Sequence, residues 1–257
     1  MLNFRNTNII FSLLLVVTMW LCFSYHITFW SIAIVLFIYS LIVFYGCYFI
    51  RANFFIKALC SGNTDKKEVA ISFDDGPAEN YTTEVLQVLK EHNIKAAFFC
   101  IGNRISDNKD LLKQVQEEGH IIGNHSFTHG TWFDLFSHKR MSYELAMTDD
   151  AIQGITGCKP HLFRPPYGVT NPNLKKAIIN GNYIPVGWSV RSYDTIIKDE
   201  KKLLRRVTNN IKQGDIFLFH DTRKATLNIL PTFIQHLQQN GYDIVRLDKL
   251  LHINAYE

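Results

Sequence analysis

Apolar and polar positions divide this chain into two unlike parts. Residues 9–23 are predominantly apolar and free of charge, and so are residues 27–50, with Ser24, Tyr25 and His26 as the polar break between them. No polar face interrupts either run, which argues against a pair of buried soluble helices. At ~20 residues per span, the pattern predicts two transmembrane helices, at about 9–25 and 27–50. A re-entrant or tilted course is the alternative for the first. No small-residue cleavage site follows it and apolar character resumes at once, which argues against a removable signal peptide. From residue 69 the pattern changes to short apolar runs alternating with amphipathic stretches. Strands are predicted at 69–73, 95–101, 120–123, 162–163, 183–190, 216–219 and 242–247. Helices are predicted at 82–91, from 107 onward, and at 142–155, 171–180, 201–211 and 227–239. Strands alternating with helices predict an α/β fold with a parallel sheet covered on both faces, and seven strand–helix pairs suggest a barrel. The division expected is an anchor over 1–60, a linker over 61–68 and one folded domain over 69–257.

Charge follows the same boundary. Residues 1–60 hold Arg5, Arg51 and Lys57 and no acid, leaving 24 basic and 23 acidic residues for the remainder. The folded part is therefore nearly neutral, with no basic tract of the kind nucleic-acid binding requires. Two spans return the chain to the side on which it began, and Arg5, Arg51, Lys57, Lys66 and Lys67 all flank that side. The positive-inside rule then places the domain in the cytoplasm, whereas a single span would leave it outside. Cys22, Cys47 and Cys60 lie in or beside the apolar segments, and Cys100 and Cys158 are isolated. Their spacing matches neither a zinc ribbon nor a dense disulfide framework.

Five polar clusters fall where predicted strands end, the place where parallel α/β folds gather their active sites. In Ser72-Phe73-Asp74-Asp75-Gly76-Pro77, two adjacent carboxylates leave a buried strand. Neighbours on a strand point in different directions, so one acid can bind a metal while the other handles a proton. The same residues also make an ordinary turn. In Asn124-His125-Ser126-Phe127-Thr128-His129 two histidines lie four apart, and one helical turn would bring both imidazoles to one side. Two imidazoles and a carboxylate form a three-ligand set suited to a catalytic zinc ion. In Arg164-Pro165-Pro166-Tyr167-Gly168 the prolines stiffen the backbone around Arg164, a group suited to orienting a carboxylate, and the Tyr167 amide, suited to an oxyanion. Trp188-Ser189-Val190-Arg191-Ser192-Tyr193-Asp194 sets an aromatic residue ahead of charge. In Phe217-Leu218-Phe219-His220-Asp221 a histidine emerges from an apolar strand, a common placement for a general acid.

These five motifs, in this order over roughly residues 66–250, resemble the polysaccharide deacetylase family, carbohydrate esterase family 4. The resemblance implies a distorted (β/α)7 barrel, a divalent metal (usually zinc) and hydrolysis of an N- or O-acetyl group from a sugar polymer. By position it implies Asp74 as general base and Asp75, His125 and His129 as metal ligands. Arg164 would orient Asp74, and Tyr167 would offer its backbone N–H to the oxyanion. Trp188, with Leu218, would line the acetyl pocket, and His220 would be the general acid. One position departs from the family: an acid usually stands two residues after the Trp-Ser pair, and here Arg191 does. A nearby cation would lower the pKa of His220. Asp194 or Asp221 could supply the missing carboxylate. The reading expected is a membrane-anchored deacetylase removing acetyl groups, N-acetyl above all, from an amino-sugar polymer, oligosaccharide or lipid-linked glycan; its partners are that acetylated glycan and the lipid bilayer, with no nucleic acid. Its alternatives are a deacylase for another amide or ester, such as an acylated lipid, and a non-catalytic carbohydrate-binding membrane protein.

Overall fold

A computed structural model describes residues 2–257. Two helices, α1 (Phe4–Tyr25) and α2 (Trp30–Tyr48), form an antiparallel hairpin joined through the left-handed His26. At ~1.5 Å per residue both are long enough to cross a bilayer, and both are apolar enough. Only 11% and 6% of their most apolar windows is buried by the rest of the protein. Polar contact between them is confined to points such as Tyr39 Oη donating to Asn8 Oδ1 at 2.8 Å. The Phe4 N–H donates to the Phe54 carbonyl, so the start of α1 and the end of α2 lie at the same end of the hairpin.

The remainder is a parallel sheet wrapped by helices. It runs β1 (Glu68–Asp74), α3 (Thr82–Glu91), β2 (Ala97–Cys100), α4 (Gly102–Ile105), α5 (Lys109–Glu117), β3 (Ile121–Asn124), α6 (His138–Thr156) and β4 (Leu162–Phe163). Then come α7 (Pro172–Asn180), β5 (Ile184–Pro185), β6 (Val190–Arg191), α8 (Glu200–Thr208), β7 (Ile216–His220), α9 (Lys224–Gln239), β8 (Asp243–Ile244) and α10 (Leu247–Leu251). Strand order is β5-β4-β3-β2-β1-β7-β6, with β8 paired to the foot of β1.

The expected 183–190 strand is two. Ile184–Pro185 pairs with β4 at one edge of the sheet, and Val190–Arg191 pairs with β7 at the other. Residues 186–189 carry the chain across the gap, so the barrel is closed by a covalent segment rather than by a ladder. That is the distortion. Pro185 has no N–H to extend a ladder. The 242–247 strand is likewise shortened to Asp243–Ile244 before α10 begins.

Alternation along each strand decides what lies inside. Val69, Ile71 and Phe73 face outward into one apolar cluster with Phe98, Phe217, Phe219 and Phe233, beneath the helices. Ala70, Ala97, Phe99, Ile121, Leu162 and Ile216 form a second cluster, plugged by Leu247 and Leu250. Truncating a fully buried ring such as Phe73 to Ala would cost about 3–5 kcal/mol. Above that second cluster the inward positions of β1 become polar, Ser72 and then Asp74. Register aligns the strand tops: Asp74 stands opposite Phe99 and His220, and Asn124 opposite Cys100 and Phe163. One row of strand ends therefore holds Asp74, Asn124 and His220.

The stretch expected as a linker is not a free tether at its start. The Gly62 N–H donates to the Gly214 carbonyl, and just before the linker Leu59, expected within the anchor, exchanges hydrogen bonds with Pro185 and Gly187, bridging to Val186.

Candidate active site

Asp74 and Asp75 do diverge. Asp74 turns inward, where the wholly buried Arg164 donates from Nη1 to its Oδ1 at 2.7 Å. The guanidinium is clamped on its other donors by Ser72 Oγ at 2.8 Å and by the Gly187 and Val186 carbonyls at 2.9 and 3.3 Å, and it lies 4.0 Å from the Phe99 ring centroid. Asp75, one residue on, is in the left-handed region with φ of 75°. Arg104 donates to its carbonyl oxygen. Its Oδ1 stands 3.6 Å from both His125 Nε2 and His129 Nε2, and it is buried with no hydrogen-bond partner.

The two histidines converge, but not on a helical turn. The backbone between them is a turn with Ser126 at φ 64° and His129 at φ 48°. It is braced by Asn124 Oδ1 accepting from the Ser126 N–H, Ser126 Oγ accepting from the His129 N–H, and Glu144 accepting from Thr128. His125 Nδ1 sits 2.8 Å from the Arg164 carbonyl, which can only accept, so Nδ1 carries the proton and Nε2 offers a lone pair toward Asp75. Burial, then the neighbouring His125, push the His129 pKa down to about 4, leaving a neutral ring. Burial opposes charge on Asp75, but the imidazoles and Arg104 outweigh it and hold its carboxyl below the usual range. An ionised oxygen and two imidazole nitrogens facing one another without a proton between them fit a divalent cation. Asp75, His125 and His129 could hold it.

Across the cavity, His220 Nδ1 lies 2.7 Å from Asp194 Oδ1. Asp194 Oδ2 also accepts from the His220 N–H at 2.7 Å and from Thr226 Oγ1. Burial disfavours the imidazolium, but the Asp194 hydrogen bond and charge, with Asp74 and Asp75, raise the His220 pKa above its ordinary value. Of the two carboxylates open from sequence, Asp194 is the one that meets His220. Asp221 instead accepts from Thr82 Oγ1 at 2.7 Å, and its Oδ1 has no partner. Burial pushes its pKa up to about 7. Asp194 reaches His220 because Tyr193 takes the left-handed region at φ 62° and turns the chain back.

The Tyr167 loop completes the wall. A tight turn over Pro166–Gly168 is closed by Gly168 N to Pro165 O and Val169 N to Pro166 O, neither of which uses the Tyr167 N–H. Gly168 permits a close approach: a Cβ there would sit 2.4 Å from the Trp188 ring. Among the described residues, five of the eleven non-glycine residues with positive φ are Asp75, Ser126, His129, Tyr167 and Tyr193, all at this site. Strain concentrated in this way marks positions whose surroundings over-determine them. Asp74, Asp75, His125, His129, Tyr167, Trp188, Leu218 and His220 line one cavity of about 230 Å3, with Arg191, Thr195 and Arg223 in its wall. Sequence reasoning missed Arg104, Glu144 and Thr226. Only Arg104, in a short polar turn after a strand, carried any signal.

Comparison with known proteins sets the chain beside polysaccharide deacetylases. A profile of the polysaccharide deacetylase family matches residues 61–184. The chain is 35% identical to the peptidoglycan-N-acetylglucosamine deacetylase PgdA of Listeria monocytogenes over 72% of its length, which spans only 39% of that relative. It is 35% identical to the peptidoglycan-N-acetylmuramic acid deacetylase PdaA of Bacillus subtilis, over 74% of this chain and 73% of that one. The crystal structure of the Bc1960 peptidoglycan N-acetylglucosamine deacetylase superposes with a TM-score of 0.74 at 28% identity, covering 78% of this chain and 95% of the other.

Proposed function

The chain belongs to the polysaccharide deacetylase family, and from that premise we propose that it is a membrane-anchored, metal-dependent hydrolase removing acetyl groups from an N-acetylated amino-sugar glycan. The observation that carries the reading is the orphaned Asp75 Oδ1 between two imidazole nitrogens, in the same cavity as an Arg164-held Asp74 and an Asp194-held His220. A divalent cation held by Asp75, His125 and His129, zinc by the character of the donors, supplies positive charge that polarises the acetyl carbonyl and acidifies water.

The chain's own residues do the rest. Asp74 accepts the proton of the attacking water, and Arg164, hydrogen-bonded to its Oδ1, keeps it aimed. The Tyr167 N–H donates to the oxyanion. Trp188 and Leu218 wall the acetyl methyl. His220 gives its proton to the sugar nitrogen as the C–N bond breaks, leaving acetate and a free amine. Asp194 holds that imidazole in orientation and favours its charged form.

Residues 50–257 act as the catalytic unit and α1–α2 as its anchor, with both ends of the hairpin in the cytoplasm. The side is supported by Arg5, Arg51 and Lys57 beside the ends of the hairpin, with Lys66 and Lys67 following in the sequence. Acetate release from triacetylchitotriose and from peptidoglycan fragments by the full-length protein, before and after chelation and zinc repletion, tests the activity. Release that stops with chelator and returns with zinc is expected. Silence of the metal-loaded protein on every acetylated glycan overturns the reading.

A further inference from the structure

The two walls of the cavity are tied to the end of the hairpin. On one side, Thr170 donates from its N–H to the Cys47 carbonyl at 2.9 Å and from Oγ1 to the Gly46 carbonyl at 3.2 Å, both in the last turn of α2. Tyr167 is three residues away, no more than about 11 Å of chain. On the other side, Leu59 is paired with Val186 and the Arg51 guanidinium reaches the Ser189 carbonyl, bracketing Gly187 and Trp188. The domain also meets the hairpin above its end. Ile42, Val43 and Cys47 of α2 pack onto the apolar cluster that contains Phe133. Ile42 lies six residues, or about 9 Å, short of the end of α2. Trp132 and Leu135, flanking Phe133, are 68% and 70% exposed. An exposed tryptophan and leucine at that height suit the bilayer interface.

The same cavity carries charge that the deacetylation chemistry does not use. Arg191 and Arg223 stand in its wall, and among the described residues neither has a carboxylate within 4 Å. Arg191 is held over the Trp188 ring at 5.4 Å and the Tyr193 ring at 5.1 Å, which aims the guanidinium without neutralising it. Guanidinium groups favour phosphate and carboxylate oxygens. In a 2-acetamido sugar the anomeric carbon adjoins the carbon bearing the acetamide. A phosphate on that anomeric carbon is therefore carried on the carbon next to the acetamide, on the scale of the distance from the catalytic residues to the cavity wall that holds Arg191 and Arg223.

We propose that the substrate is an anionic acetamido sugar presented at the membrane surface, its anomeric carbon joined to the phosphate or diphosphate of a lipid carrier, with Arg191 and Arg223 taking the phosphate oxygens. This rests on the deacetylase reading and names the class of its substrate. Two charge-assisted contacts to the phosphate, with membrane placement, predict a preference of at least about tenfold.

The test compares kcat/KM for acetate release by the full-length protein in phosphatidylcholine vesicles on four probes. These are polyprenyl-diphosphate N-acetylglucosamine, uridine diphosphate N-acetylglucosamine, triacetylchitotriose and a soluble glycan containing N-acetylmuramic acid. The lipid-linked probe should be preferred, the soluble diphosphate should come next, and R191Q/R223Q should lower the lipid-linked to chitotriose ratio about tenfold, mainly through KM. Equal or better turnover of triacetylchitotriose overturns this proposal and leaves the deacetylase reading standing. A preference for the muramic acid glycan, erased by R191Q/R223Q, assigns the cations to a sugar carboxylate and overturns the lipid carrier. No acetate from any probe overturns both.

Discussion

Asp75, half-buried, and Asp194, buried, are carboxylates facing histidine across one cavity, and they are satisfied in opposite ways. Asp194 accepts from His220 Nδ1, the His220 N–H and Thr226 Oγ1, so nothing is left to add. Asp75 Oδ1 has two imidazoles 3.6 Å away and accepts from neither. An ionised oxygen without a donor is costly in an apolar surround, and the cost disappears only if a cation arrives. The difference teaches which half of the site is complete as folded and which half is a receptor. One carboxylate tunes a proton, and the other waits for a charge.

The comparison breaks first at the receptor half. His129→Ala should remove a ligand without touching Asp194, abolish stoichiometric zinc binding by metal analysis and lower turnover by at least about 10⁴-fold. Retained zinc in that variant would dissolve the distinction between the two carboxylates. Asp74→Asn should lower turnover about 10³-fold while leaving zinc content near that of the parent, because Asp74 faces Arg164 and handles the proton. Loss of metal there would mean that both acids of β1 serve the receptor.

At the complete half, Asp194→Asn should move the alkaline limb of the rate profile to lower pH. His220 has its pKa raised in the folded protein, so its proton is present below that value and lost as pH rises through it. Without the Asp194 charge the loss comes earlier. An unmoved limb would assign the limb to another group. The smallest effect concerns Asp221, whose pKa rises to about 7 in the fold. The folded protein then binds the Asp221 proton more tightly than the unfolded chain does, so stability declines as pH rises from about 4 to 7. In the metal-free protein Asp221→Asn should remove that decline, read as a gain in Tm at pH 7 relative to pH 4.

Much of the receptor half is legible in the sequence because its residues follow apolar strands directly. Asp74 ends β1 and Asp75 follows it, His125 follows β3 and Arg164 follows β4, so a strand pattern alone places them in one row, which His220 of the complete half joins at the end of β7. The route from His125 to His129 is not legible. Four-residue spacing suggests a helical turn, whereas the fold uses left-handed Ser126 and His129 pinned by Asn124 and Glu144. The complete half is harder still. Asp194 reaches His220 through the left-handed Tyr193, a backbone state no local pattern announces in a tyrosine. The 183–190 run reads as one strand because apolar character is continuous, and only pairing with both sheet edges divides it. The hairpin is legible in composition. Its docking through Thr170, Phe54 and Leu59 is tertiary and has no signature in the sequence.

That docking has a practical consequence. Leu59 supplies the partners of the Pro185 carbonyl and the Gly187 N–H, and the Gly187 carbonyl is one of the four groups that grip Arg164. A protease cut or a truncation placed at residues 61–68 to release a water-soluble enzyme would therefore strip a splint from behind the arginine that aims the base. The shortened protein would be an enzyme with a loosened active site rather than the same enzyme set free.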